Sequence, residues 1–191
     1  MLAKVLSSAV IGVDAYLVEV EVDISMGLPT FNTVGLPDTS VKESRDRVKA
    51  AIKNSGFDFP SRRITVNLAP ADIKKEGASF DLPMACGILA ATGLIRPERL
   101  KDHLILGELS LDGGVRSIKG ALPMAASAAH ARLAGMILPA ENAPEAAVVE
   151  GIQIFGVETL PQVVEFLNGT LEVRPTRIDL TAVFAQHAEY S

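Results

Sequence analysis

Alternating apolar and polar positions open the chain. Residues 3 to 11 and 14 to 25 read as two strands joined by a turn at Gly12; in the second, Tyr16, Val18, Val20, Val22 and Ile24 share one face while Glu19, Glu21 and Asp23 mark a wetter one. Gly27, Pro29 and Gly35 punctuate a short extended piece around Phe31 to Val34. Pro37 and residues 38 to 40 then open a helix with a Ser40/Glu43 capping box and an apolar stripe of Val41, Val48 and Ile52, which stops at Asn54-Ser55-Gly56. A strand follows over residues 63 to 68, and Pro70 ends it. Residues 79 to 94 are apolar on nearly every helical face, which predicts a buried central helix. Next come a strand over 103 to 109, a hairpin at Asp112-Gly113-Gly114, a strand over 115 to 118 and an alanine-rich helix over 121 to 134. Strands over 136 to 138 and 152 to 157 and a helix over 160 to 167 complete the pattern. This order predicts an α/β (α+β) domain, a mixed sheet packed with helices, spanning residues 1 to 168. From Gly169 to Ser191 the periodicity decays, as in a linker.

With 191 residues, 48% of them apolar, the chain can bury a sizeable core. No apolar run reaches membrane-spanning length and the N-terminus lacks the pattern of a secretory signal, so a cytoplasmic protein with no membrane partner is expected. The single cysteine, Cys86, falls in the apolar helix and reads as a buried, inert thiol. His103, His130 and His187 are too scattered to suggest a metal site. The net charge of −5 argues against bulk electrostatic coating of nucleic acid, but its distribution is uneven. Between Lys42 and Lys75 nine basic residues face four acidic ones. Arg62, Arg63, Lys74 and Lys75 are the candidate surface for DNA or an acidic partner; the plainer account is a solvated helix face and a polar loop.

Two stretches carry recognisable chemistry. GELSLDGGVRSIKGALP, residues 107 to 123, resembles the segment of Lon-type protease domains in which a hairpin leads to a helix whose first turn bears a lysine general base. EGASFD, residues 76 to 81, resembles the nucleophile turn of the same domains. Ser79 falls on the nucleophile position and Leu122 on the base position. A serine hydroxyl needs a neighbouring base to take its proton, and a leucine cannot do so. Lys119, Lys74 or Lys75 would have to stand in, desolvated and within hydrogen-bond reach of Ser79. The alternative for Ser79 is structural, a hydroxyl capping the N-terminus of the following helix.

Taken together, residues 12 to 57, 63 to 83 and 107 to 123 resemble the N-terminal domain of the magnesium-chelatase-like AAA+ ATPases. The resemblance implies a Lon-type fold without peptidase activity, followed by an AAA+ module that binds ATP and Mg. In the competence-helicase branch of that family the full chains form hexameric rings that drive branch migration of DNA. No GxxxxGK[ST] loop occurs in these 191 residues, so no residue here is assigned to ATP, and no cofactor is expected in this stretch. The resemblance therefore implies an accessory domain whose partners are its own AAA+ module, further copies of the chain and DNA. An interaction module that never touches DNA is the alternative, and a residual serine peptidase the outsider.

Overall fold

The computed structural model describes residues 1–178. Within them a seven-stranded sheet is assembled in the order β3-β4-β2-β1-β5-β8-β9. Its strands are β1 (Leu2–Ile11), β2 (Asp14–Ser25), β3 (Thr30–Val34), β4 (Arg63–Ala69), β5 (His103–Ile105), β8 (Gly135–Pro139) and β9 (Gln153–Val157). The β1/β2 and β2/β4 pairs are antiparallel and the other four are parallel. A separate ribbon joins β6 (Glu108–Leu109) to β7 (Val115–Arg116). The helices are α1 (Thr39–Asn54), α2 (Asp81–Ala91), α3 (Ala121–His130), α4 (Ala143–Ala146) and α5 (Leu160–Leu167). This is the mixed α/β architecture the residue pattern predicts.

Strand alternation sends side chains to two cores. On one face Val5, Val18, Val20, Val22, Ile64, Val66, Leu68, Ile105 and Ile137 pack with α1, α2 and α5. On the other, Leu104, Leu106, Met136, Leu138 and Ile154 pack with α3 and α4. Burial on both sides explains why β8, and β5 after His103, are apolar throughout whereas β2 alternates. Around Lys4, Glu19, Glu21 and Asn67 the second face lies open to water, and Lys4 pairs with Glu19 at 3.3 Å. At the centre, the buried Ser7 hydroxyl donates to the Ile105 carbonyl at 2.8 Å and fastens the N-terminal hairpin to the rest of the sheet. α2 is buried along almost its whole surface, and burial pushes the Cys86 thiol up to about 12. Among the described residues no helix is long and apolar enough to cross a membrane.

Several local expectations are corrected. Asp38, not the Ser40/Glu43 box, caps α1: its carboxylate accepts from the Val41 amide at 2.8 Å. The strand expected over 103 to 109 divides, because the chain leaves the sheet at Gly107. There its amide bonds to the Ser79 carbonyl at 3.0 Å and its carbonyl accepts from Leu82 at 2.9 Å. α2 begins only at Asp81, and Ser79 makes no capping bond to it. Contact with the domain also continues past residue 168: Val173 packs on the core and the Thr176 amide donates to the Ile154 carbonyl at 2.7 Å. The remainder of the expected linker, residues 179–191, lies outside the described residues.

Lys75 is the largest correction. It is fully buried, and its ammonium donates to the carbonyls of Gly35, at 2.8 Å, and Pro70. Its own backbone bridges Leu36 and Asp38, so this lysine staples the 35–38 turn to the 70–75 loop and offers no charge to a partner. Desolvation holds its pKa below the usual lysine value. The turn it fastens requires glycine, since Gly35 has φ +103° and a Cβ there would stand 2.2 Å from the Leu68 carbonyl oxygen. Gly35→Ala is therefore expected to destabilise the domain by more than about 1 kcal/mol, read as a lowered urea midpoint with an unchanged slope.

Candidate functional site

The turn from Glu76 to Phe80 places Ser79 at the mouth of a cleft of about 430 Å³. The opposite walls come from Ala9 and Val10 of β1, from Glu108, and from the segment Ser117 to Lys119 ahead of α3. Asn142 clamps that segment, its side-chain amide bonding to the Ile118 amide at 2.8 Å and carbonyl at 2.9 Å. The cleft thus gathers the hydroxyls of Ser79 and Ser117, two carboxylates and one lysine. The Ser79 hydroxyl has no hydrogen-bond partner among the described residues. Leu122 is 42% exposed on the first turn of α3 and is not part of the cleft lining. Lys119 does line the cleft, so the fold brings this stand-in near Ser79, but it is exposed and shares the space with Glu76 and Glu108. A lysine base works when desolvation lowers its affinity for the proton, and Lys119 lacks that enclosure. The other stand-ins are spent elsewhere: Lys75 is buried on carbonyls and Lys74 pairs with Glu76 at 3.6 Å.

Behind the turn sits an ion pair that the residue pattern does not reveal. Asp81, at the first position of α2, is fully buried. Its carboxylate accepts from Arg47 Nε at 2.7 Å, Arg47 Nη2 at 3.2 Å and the Leu109 amide at 3.0 Å. Arg47 also donates to the Ser40 carbonyl at 3.2 Å. One carboxylate thereby joins α1, α2 and β6 around the Ser79 turn. Burial pushes the Asp81 carboxyl up, opposed by the Arg47, Ser44 and Leu109 hydrogen bonds, while the pairing pushes Arg47 up. No spacing in the sequence links residues 34 positions apart, so only the oddity of an acid in an otherwise apolar helix could have hinted at the pair.

The basic window between Lys42 and Lys75 separates into used and free charges. Arg47, Lys74 and Lys75 are engaged as described. Lys42, Arg45, Lys49 and Lys53 share one helical face of α1, with Asp46 beside them, and Arg62 and Arg63 are exposed just before and at the start of β4. None of these six forms an ion pair among the described residues. Lys49, Lys53 and Arg62 border a second cleft of about 220 Å³, floored by Phe31 and Phe59. Arg62 and Arg63 thus remain on the candidate surface, Lys75 leaves it, and Lys49 and Lys53 join it.

A mixed sheet that carries a serine turn against a hairpin and helix defines a Lon-like domain. The chain is 28% identical to Lon protease 2 of Bacillus subtilis over 144 residues, 73% of this chain and 25% of that protein. More specifically, the family model described as subunit ChlI of Mg-chelatase matches residues 20–142, and the chain belongs to this Mg-chelatase-like family. It is 47% identical over 168 residues to the competence protein ComM of Haemophilus influenzae, covering 88% of this chain and 33% of that protein. It is 44% identical over 182 residues to an uncharacterized protein of Mycobacterium tuberculosis, covering 94% and 36%, and 42% identical over 190 residues to YifB of Escherichia coli, covering 97% and 37%. The chain spans about a third of the length of these curated relatives.

Removing Arg47 would strand a buried carboxylate. Arg47→Ala is expected to cost about 3–5 kcal/mol at pH 7. Because the native pKa of Asp81 lies above its unfolded value of 3.8, and would rise further without Arg47, the folded variant binds the extra proton. Its stability contribution then falls as pH rises above 3.8, so the penalty of Arg47→Ala should shrink as pH is lowered towards 4. Urea unfolding of both proteins between pH 4 and 8 measures this; a penalty independent of pH would contradict the pairing.

Proposed function

We propose that this domain is the noncatalytic N-terminal accessory part of a Mg-chelatase-like AAA+ ATPase, serving ring assembly or DNA engagement in branch migration during recombination and natural transformation. The reading rests on the Ser79 cleft: the resemblance to Lon-type domains puts Ser79 at the nucleophile position and Leu122 at the base position, and Lys119, the one lysine lining the cleft, is exposed. A Lon-like domain without that chemistry is free to act as scaffold or guide. Family membership and the one-third share of its relatives' length support a motor module elsewhere in the polypeptide, in the cytoplasm, as a hexamer using ATP and Mg. A protein-interaction module that never touches DNA is the second reading, favoured by the net charge of −5 and by the exposed Met26 and Leu28 in the β2–β3 turn.

Two measurements test this. The intact mass of the polypeptide in its source cells should far exceed 20.2 kDa, with peptides containing a GxxxxGK[ST] loop; a mass near 20.2 kDa would favour the free-standing interaction module. Prolonged incubation with a serine-reactive phosphonate should leave the mass of the chain unchanged. An adduct lost in Ser79→Ala would instead revive the peptidase.

A further inference from the structure

We propose that the cleft between α1, β3 and the Phe59–Arg62 loop binds single-stranded nucleic acid by stacking unpaired bases against Phe31 and Phe59 while Lys49, Lys53 and Arg62 take the phosphates. Phe31 and Phe59 both line the cleft and are stacked on each other, their centroids 6.2 Å apart and their planes inclined by only 13°. Both are half-buried and pack against the core, which holds the pair in place. Lys49 Nζ stands over the Phe59 ring, 5.7 Å from its centroid, a flexible cation that a base taking that face displaces onto the neighbouring phosphate.

Charge complementarity selects the occupant. Lys49 and Lys53 continue along α1 to Arg45 and Lys42, a basic strip of about 16 Å at the rise of an α-helix, and none of these cations is neutralised by an ion pair among the described residues. Unpaired bases on a polyanionic backbone satisfy both halves of such a site, because every base has a π-face whatever the sequence. A duplex keeps its bases stacked inside and would meet only the cations.

Fluorescence anisotropy of the 191-residue chain with labelled dT20, rU20 and a 20-base-pair duplex, titrated at several salt concentrations, decides the matter. The expected result is tighter binding of a single strand than of the duplex, the dT20 and rU20 arms showing which sugar is preferred. Phe59→Leu keeps the apolar packing and removes the ring; it should weaken single-strand binding about tenfold at every salt concentration. Lys49→Ala or Lys53→Ala should each lower the salt slope by about 0.7, whereas Lys74→Ala, which removes the same charge outside the cleft, should not. The inference rests on the DNA-engaging arm of the reading above, and the two fail separately. Duplex binding equal to or tighter than single-strand binding, or a Phe59→Leu variant that binds as well as the parent, overturns the stacking site and leaves that arm standing. Absence of binding to all three probes at low salt overturns both, leaving ring assembly as the role of the domain.

Discussion

A buried carboxylate has to be paired, and the way Asp81 is paired organises this domain. Isolated in a low-dielectric interior, the charge would be costly; with two nitrogens of Arg47 and the Leu109 amide it becomes the junction of α1, α2 and β6. Those three elements set where the Ser79 turn sits and how Gly107 reaches it. They also fix the azimuth of α1: with Arg47 turned inward, Lys42, Arg45, Lys49 and Lys53 are left on the outward side. The hydrogen bonding that orients the Ser79 turn on one side of the helix orients a basic strip on the other.

The Ser79 cleft is held in shape by packing. The Ser79 turn and the segment ahead of α3 line one cleft, in which the Ser79 hydroxyl has no hydrogen-bond partner among the described residues and the lysine that lines it is exposed. Geometry of this kind is maintained for packing reasons: Phe80 is buried beneath the turn, and Gly107 permits a backbone approach in which an added Cβ would meet Val115 at 2.9 Å. The exposed side chain of Leu122 contributes little to the fold, whereas losing the turn would open the core.

The sheet was largely legible because period-two alternation in β1, β2 and β4 and unbroken apolar runs in β8 and β9 report burial directly. Helix ends were less so. Ser40 and Ser79 both fit an N-cap signature, but Asp38 outcompetes the first, and the second lies two residues before α2, its carbonyl tied to the Gly107 amide. Charges were the least legible. Lys74 and Lys75 are neighbours of identical chemistry; one lies at the surface beside Glu76 and the other is enclosed by backbone carbonyls, a difference set by loop closure that no local pattern encodes. Phe31 and Phe59 are likewise 28 positions apart and meet only because β3 pairs with β4.

The bond from Ser7 to Ile105 has a bearing on how the domain is made. The β1–β2 hairpin needs only neighbouring residues and forms in microseconds, but the other edge of β1 has no partner until β5 has been synthesised, 98 residues later. At ribosomal rates that interval lasts about 5 to 20 s. During it the nascent chain carries an open strand edge with Val5 and Ala9 uncovered on one side, so the central strand of the finished sheet is the most aggregation-exposed strand of the unfinished one.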